Sequence, residues 1–544
     1  MHEPGSRTRP RRAVGCPTRI LPAMRRTVLY LALLALLGSC TSPIAATSPS
    51  ERPARILAGT ATSLDPAVLG DAGSAAISAQ LFESLTAFDS DLQLRPALAE
   101  SWQFDEGGRR VTFHLRSELA FSDGSPIRPS DVVRSWLRLI DPAQPSPLAA
   151  LALDIAGSEA YLRGENADPG SVGLRADDGA GDVIVDLVRP ASDFPNIIAG
   201  PTFAVVPPGV GQDPSALEPG KGFVASGGYV FSEQTATAMI LTANPHYWAG
   251  TPGVLTVELV GDLGGRSPVD AFESDELDYA PIGSFDADWI SYDETLGPQL
   301  REVGSLSVQY YGFDTGRPPF DDVRVRQAVG MAVNWRRMAA LAGSDGSVQV
   351  ANSMVPPGIP GRSEQDFLPV YDPATARERL AEAGYPGGAG FPTTTLLTFG
   401  GGFDEAIVVE VKRELGITLQ SESMGDGYFD RLVTEPPQMW TLGWVADYPG
   451  RNDFLGVLLN TGAASNYGRW SSAEFDAAIS EALSATDPSA AAAAYDRAER
   501  IVRDQVPVVP VTYAAGWALS RNELLGADQN GLGIIRMAGL EWAQ

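Results

Sequence analysis

The side chains that could carry out covalent chemistry are not arranged in the patterns that catalysis requires. Only His114 and His246 lie beyond the first few residues, and they are far apart in sequence. The chain contains no Gly-x-Ser-x-Gly elbow, no Ser-x-x-Lys pair, no Walker loop and no His-Glu-x-x-His motif. We therefore expect no catalytic residue, no metal site and no cofactor, although 67 acidic residues leave a glycosidase carboxylate pair open.

One carboxylate is distinguished by its surroundings. Asp447 follows an apolar and aromatic segment within residues 439–449 that is predicted to be a strand. Burying a carboxylate beside aromatic rings is costly unless a cation pairs with it. Gly443 would admit another backbone, and Trp444 and Tyr448 offer flat apolar faces, so the segment suits an extended ligand with a positive charge. The alternative, which this segment alone favours, is a core strand whose aspartate caps the next turn.

After residue 50, strand-like and helix-like segments alternate in the sequence, which predicts an α/β fold. These elements must position the carboxylate of Asp447. One helix is predicted within 371–384, with Asp372 as its N-cap, Pro373 in its first turn and Gly384 at its end. A second, continuous helix is predicted over 321–338, because apolar residues recur there at helical spacing.

The N-terminal residues 1–39 are predicted to be an extension followed by a lipoprotein signal peptide, with translation starting at Met24. A positive segment precedes ten apolar residues, 28–37, which are too few to span a bilayer permanently. Leu-Gly-Ser before Cys40 resembles a bacterial lipobox, in which the cysteine becomes the lipidated first residue. An ordinary signal peptide with a chance cysteine is the alternative. The Ser-, Thr-, Pro- and Ala-rich residues that follow favour lipidation, because 40–50 would form a tether to a membrane.

The exported chain would be strongly acidic. The whole sequence has a net charge of −27, and residues 1–39 hold seven arginines and one glutamate, which leaves a net charge of −33. Such a surface repels nucleic acid and anionic headgroups, so we expect no nucleic-acid partner. Cys40 would be the one remaining cysteine, so no internal disulfide is expected and stability must come from the core of two or three domains.

Five groups of motifs, in order, resemble the extracellular solute-binding proteins of oligopeptide, dipeptide and nickel ABC importers. The most specific is Pro-Pro-Phe-Asp-Asp-Val-Arg-Val-Arg-Gln-Ala at 318–328. The resemblance covers nearly all of the chain from about residue 55. The other groups are 63–66 with 80–85 and 96–102; 112–116 with 121–126 and 131–133; 226–229 with 244–248; and 372–386 with 443–447.

The resemblance implies an α/β, two-lobed fold of the periplasmic-binding-protein type, with a subdomain inserted in the first lobe and a two-strand hinge. The hinge would lie near 308–311 and 507–513, and both segments are apolar. The implied divisions are 51–82, 196–308 and 513–544 for lobe I, 83–195 for the inserted subdomain, and 312–510 for lobe II.

The resemblance also implies a function. The protein would be a lipid-anchored, non-enzymatic, extracytoplasmic receptor, a monomer that captures oligopeptides and delivers them to an ABC permease. In peptide-binding relatives, one strand pairs with the peptide and its aspartate takes the α-ammonium group. The matching residues here are Gly443, Trp444, Val445 and Asp447, and the segment facing them from the other lobe is Asp71, Ala72 and Gly73.

Two departures leave the ligand open. Leu148 stands where oligopeptide binders carry a tyrosine near the peptide N-terminus, and Thr441 stands where some carry an arginine for the C-terminal carboxylate. The family also contains receptors for metal chelates, haem and oligosaccharides, so a non-peptide solute is an alternative. An exported hydrolase is the alternative from another class, and the missing nucleophile motifs disfavour it.

Overall fold

The computed structural model describes residues 50–543, except residues 60, 70, 211–216, 221, 343–347, 401, 426, 464 and 486. The predicted signal peptide and Cys40 lie outside the described residues. Within the described ranges, no helix has both the length and the apolar character needed to cross a membrane.

Strands and helices are interspersed along the described chain, which agrees with the predicted α/β class, although some strands follow one another directly. The strands are β1 Ala54–Leu57, β2 Thr86–Phe88, β3 Leu94–Pro96, β4 Ala99–Asp105, β5 Arg110–Leu115, β6 Leu174–Asp177, β7 Asp182–Asp186, β8 Tyr229–Gln234, β9 Ala238–Ala243, β10 Thr256–Val260, β11 Tyr279–Ile282, β12 Leu300–Gly304, β13 Ser307–Phe313, β14 Val348–Val350, β15 Thr394–Thr398, β16 Leu419–Ser423, β17 Met439–Val445, β18 Val508–Ser520, β19 Leu524–Leu525 and β20 Glu541–Trp542. The α-helices are α1 Ala72–Leu81, α2 Pro129–Leu139, α3 Ser158–Leu162, α4 Phe194–Ile197, α5 Pro268–Glu273, α6 Ser284–Ile290, α7 Val323–Ala332, α8 Trp335–Ala342, α9 Pro373–Glu382, α10 Gly402–Leu415, α11 Tyr428–Thr434, α12 Arg451–Phe454, α13 Gly456–Leu459, α14 Ala473–Ser484 and α15 Pro488–Gln505.

One large sheet connects the two halves of the fold. Its strand order is β16-β15-β17-β13-β18-β11-β1-β10-β9-β8, and β12 and β14 also pair with β18. The long strand β18 pairs with β13 through Thr512 and with β12 from Ala515 onward. Because β12 is followed almost at once by β13, two antiparallel chain segments run side by side from one half of the sheet to the other. Their β-branched and aromatic residues suit buried strands.

Helices α7, α9 and α10 pack beside the half of the sheet formed by β13 and β15 to β17. The apolar faces of these helices form one core with Tyr311, Leu396 and Met439. Helix α9 confirms its prediction, because the Asp372 carboxylate accepts hydrogen bonds from two backbone N–H groups of the first turn and Gly384 has a φ of 97°.

The prediction of a single helix over 321–338 is wrong, because the structure has two helices there. Helix α7 ends at Ala332, because the next residue, Val333, has an extended backbone (φ −103°, ψ 131°), and α8 begins at Trp335. The side chain of Asn334 accepts a hydrogen bond from Arg337 N at 3.0 Å, so an asparagine cap starts the second helix. Apolar residues keep their helical spacing across the break, so the break could not be predicted from the sequence pattern.

A second sheet, of order β4-β5-β7-β6, has its own core with α2. Its buried residues include Phe113, Trp136 and Val185. His114 lies on the exposed side of β5, as expected of a residue in an alternating strand, and its Nδ1 is 2.7 Å from Asp182 Oδ1.

We predict that Gly312→Ala destabilises the fold. A Cβ at this buried position of β13 would lie 2.5 Å from the indole ring of Trp440 on the neighbouring strand. Forcing a methyl group into that contact should lower the free energy of unfolding by about 1–3 kcal/mol. Urea unfolding of the purified protein measures the change.

The matched control is Gly443→Ala on β17, where an added Cβ would meet no atom within 4 Å. It should leave the unfolding midpoint unchanged. Equal losses in both variants would show that the Trp440 contact does not account for the loss at Gly312, since alanine is not disfavoured relative to glycine in a strand.

Candidate functional site

A cavity of about 470 Å³ lies between the end of β17 and the elements around α1. Val445, Ala446 and Asp447 contribute one wall. The other walls come from Leu69, α1, residues 82–88, residues 147–151, residues 199–203 and residues 530–536. Segments that are hundreds of residues apart in sequence therefore meet around one space.

The structure brings together four of the predicted site residues. Asp71 and Ala72 line the cavity opposite Val445 and Asp447. Gly73, Gly443 and Trp444 are not on its wall, although Gly73 follows the wall residue Ala72 and Trp444 precedes the wall residue Val445. Of the two departures noted in the sequence, Leu148 lines the cavity, whereas Thr441 is 2% exposed and lies away from it.

Strand β17 presents one open edge close to the cavity. It pairs with β13 along its whole length, but on the other side the register with β15 ends at Trp440. Gly443 and Val445 are exposed, and Val445 also lines the cavity. The end of the strand therefore offers backbone groups that an extended chain could pair with.

The carboxylate of Asp447 is half-buried at this strand end. Among the described residues it pairs with no cation and accepts no hydrogen bond. The alternative role as a turn cap is not found, because Gly450 N donates to the carbonyl of Tyr448. Burial raises the pKa of Asp447 to about 6.

Asp447 is not the lone carboxylate that the sequence suggested, because helix α12 carries Asp453 to the same strand end. The Asp453 side chain is buried, and its Oδ2 accepts hydrogen bonds from Trp444 Nε1 at 2.9 Å and from Asp447 N at 3.3 Å. Its Oδ1 has no hydrogen-bond partner among the described residues. Burial, and then the charge of Asp447, raise the pKa of Asp453 well above its usual range, which favours its neutral form.

Asp453 has no recognisable spacing from Asp447 in the sequence, because a short turn and the helix α12 bring it to the end of the strand. The one signal that could have found it is a second acidic residue soon after an apolar strand that ends in aspartate. Its contacts hold the Trp444 ring and the Asp447 backbone in place.

The other charged residues on the cavity wall already have partners. Asp71 caps α1 and accepts hydrogen bonds from the backbone of Ser74 and from two hydroxyl groups, which hold its pKa low. Glu83 accepts hydrogen bonds from Arg536 Nη2 at 3.1 Å and from Tyr247 Oη at 2.7 Å. The described part of the wall therefore contains one unpaired charge, that of Asp447.

The residue after Asp447 contacts a different part of the fold. Tyr448 is buried in the core of the four-stranded sheet, and its hydroxyl donates to Asp193 Oδ2 at 3.2 Å. Asn452 Nδ2 donates to the same hydroxyl at 2.9 Å. Successive residues of one loop thus face the cavity and anchor the loop against the second sheet.

No group of three or more histidine, cysteine, aspartate or glutamate side chains in the described ranges could hold a metal ion. The polar groups of this site instead suit recognition of a cation. A carboxylate with a pKa near 6 and no partner can accept an ammonium group at neutral pH.

We predict that Asp447→Asn stabilises the ligand-free protein at neutral pH. The pKa of Asp447 is higher in the fold than its ordinary value of 3.8, so ionisation costs stability once the pH rises above that value. Removing the charge should raise the free energy of unfolding by at most about 3 kcal/mol at pH 7.5 and by about a third of that at pH 4.5. Urea titrations at both pH values measure the change.

Asp71→Asn is the matched control, because its folded-state pKa is lowered and its charge is stabilising above pH 3.8. That variant should lose stability at pH 7.5. A loss in Asp447→Asn as well would show that a donor pairs with Asp447 in solution.

Comparison with known proteins gives related chains along most of the sequence. A probable deoxycholate-binding periplasmic protein, YgiS of Escherichia coli K12, is 29% identical over 466 residues, which cover 83% of this chain and 85% of the relative. The periplasmic oligopeptide-binding protein OppA of the same strain is 26% identical over 472 residues, covering 83% and 85%.

The fold has solved counterparts. The murein tripeptide binding protein MppA, in its unliganded open form, superposes with a TM-score of 0.77 at 24% identity, covering 91% of this chain and 98% of that one. The likeness confirms the predicted α/β, two-lobed periplasmic-binding-protein fold.

The family comparison covers the middle of the chain. The model of the bacterial extracellular solute-binding proteins, family 5 Middle, matches residues 93–466, which is more than half of the sequence. With the two-lobed fold and the cavity at the end of β17, this match shows that the chain belongs to the family 5 bacterial extracellular solute-binding proteins.

Proposed function

We propose that this protein is an extracytoplasmic receptor that binds oligopeptides in the cavity at the end of β17 and delivers them to an ABC import permease. The observation that carries the proposal is the unpaired carboxylate of Asp447 beside an open strand edge. Family members are binding proteins that serve importers, which supports transport over catalysis.

Each part of the site suits one part of a peptide. The open edge of β17 supplies backbone donors and acceptors that pair with any extended chain, so side-chain sequence matters little to them. The Asp447 carboxylate pairs with the α-ammonium group and fixes where the peptide begins. Since one end is fixed and the backbone pairs without sequence preference, the site would accept a range of peptides.

The named relatives support the same class of ligand. OppA is named for oligopeptides and MppA for murein tripeptides. The wall residue Leu148 replaces a tyrosine of oligopeptide binders, so the amine would depend mainly on Asp447.

A second candidate is an amphipathic anion. The relative named for deoxycholate and the largely apolar cavity wall favour it, and Arg536 supplies a cation on that wall. Against it, Arg536 is already paired with Glu83, and Asp447 would repel a carboxylate. Replacing Asp447 by asparagine should strengthen binding of deoxycholate and weaken binding of peptides, so one variant separates the two candidates.

We also propose that the two lobes, divided at 312 and 510, close on the ligand about β13 and β18. Closure of this kind is driven by contacts that form only in the closed state. Asp447 on one side and α1 on the other would supply such contacts.

We predict that Asp447→Asn and N-acetylation of the peptide remove the same interaction. Loss of one partner of a buried ion pair costs about 3 kcal/mol or more, which corresponds to roughly two orders of magnitude in Kd. Calorimetry of free and acetylated tripeptides with both proteins gives the four affinities of a thermodynamic cycle.

Acetylation should weaken binding to the wild type by about 100-fold and change binding to Asp447→Asn by less than about threefold, since the partner is already gone. Fully additive losses would show that Asp447 does not contact the amine. Equal binding of free and acetylated peptides by the wild type would show that the cavity does not recognise the N-terminus.

We predict that Cys40 carries a lipid anchor. Cys40 lies outside the described residues. The prediction is based on the sequence, in which an apolar segment ends in Leu-Gly-Ser-Cys. Cys40→Ser should release the protein from the membrane fraction into the periplasm or medium. The matched control is Cys16→Ser. Because residue 16 precedes the proposed start at Met24, this substitution should leave the distribution between membrane and soluble fractions unchanged. Membrane retention of Cys40→Ser equal to the wild type would contradict lipidation.

A further inference from the structure

We propose that the cavity contains a compartment that selects ligands whose amine is followed directly by a bulky apolar group. This inference rests on the proposed function, because it takes the amine to be held at Asp447. It adds a requirement that neither the family nor the strand edge supplies. We define the compartment by six wall residues, which are Ala75, Ala79, Leu148, Leu151, Leu532 and Ile534.

The compartment combines side chains from three distant parts of the chain. Ala75 and Ala79 lie one turn apart on α1, and their methyl groups keep the helix surface close to the cavity. The leucines and the isoleucine come from the segment before α3 and from the segment after β19. All six are apolar and only half-buried, and Leu151 and Leu532 pack against buried core residues.

Half-buried apolar side chains around a cavity favour an apolar occupant. Removing their remaining surface from water gains about 25 cal/mol per Å², and a group too small to touch them forfeits the dispersion contacts as well. The cavity volume of about 470 Å³ lies in the range of pockets that enclose most of a small ligand. Glycine or alanine at the first position of a peptide would leave this surface uncovered.

The charges on the wall determine where the apolar group must lie. Asp71 is occupied as a helix cap, and Glu83 and Arg536 neutralise each other. Asp447 is therefore the position at which the ligand's amine finds a partner. Since Asp447 and the compartment line the same cavity, a group attached next to the amine would extend into the space that the compartment borders.

The experiment measures affinity for four tripeptides, Gly-Ala-Ala, Ala-Ala-Ala, Leu-Ala-Ala and Phe-Ala-Ala, by calorimetry with the full-length protein. Each is used in the free and the N-acetylated form. We expect Leu-Ala-Ala and Phe-Ala-Ala to bind at least tenfold more tightly than Gly-Ala-Ala. Equal affinities across the four free peptides would overturn the proposal.

Two variants on α1 locate the effect. Ala79→Leu fills part of the compartment and should reduce the ratio of Phe-Ala-Ala to Gly-Ala-Ala affinity by about tenfold, because one buried side chain of this size is worth roughly 1.5 kcal/mol or more. The matched control Ala76→Leu lies on the same helix but off the cavity wall and should leave the ratio unchanged. Equal weakening of both peptides by Ala79→Leu would contradict the proposal.

The design separates this inference from the proposed function. Asp447 governs the difference between free and acetylated peptides, whereas the compartment governs the ratio between Phe-first and Gly-first peptides. If acetylation has no effect but the ratio persists and responds to Ala79→Leu, the amine contact fails and the compartment stands. If no peptide binds, phenylethylamine and ethylamine replace the series, and failure of phenylethylamine to bind more tightly overturns the inference.

Discussion

The pairing of β13 with β18 is the interaction on which the rest of the structure depends. These buried strands connect the two halves of the large sheet, and β17 takes its whole register from β13. Trp440 of β17 lies over Gly312 of β13, which leaves no room for a side chain there. The position of Asp447, two residues beyond the end of β17, follows from this register. A change in the central pairing would therefore move the site itself.

Several buried charged side chains elsewhere in the described fold have a partner of opposite charge, unlike the carboxylates at the end of β17. Asp65 is fully buried and receives two hydrogen bonds from Arg138, and Arg451 pairs with both Asp496 and Glu499. Such pairing offsets the cost of removing a charge from water. At the end of β17 two carboxylates lie together with no cation among the described residues. Stability is thus given up at the position where a ligand's charge would restore it.

The sequence predicted the fold class well and the site in part. Local patterns were sufficient for β17 and for α9, because a short apolar and aromatic segment and a cap followed by a terminating glycine each act within one element. The break at Val333 was missed because helical spacing continued through it. Asp453 and the apolar compartment could not be predicted, since each depends on segments that only the tertiary fold brings together. Leu148 and Leu532, for example, share a cavity without any shared local pattern.

The open edge of β17 has a consequence for solubility. Unpaired strand edges can add strands from other molecules and so initiate aggregation, and secreted proteins usually block them with charges, bulges or covering loops. This edge ends at the wall of a cavity and is followed by Asp447. We infer that a recess of about 470 Å³ would admit a single extended chain and exclude the edge of another folded sheet. The recess therefore lets the protein keep a reactive strand edge without polymerising through it.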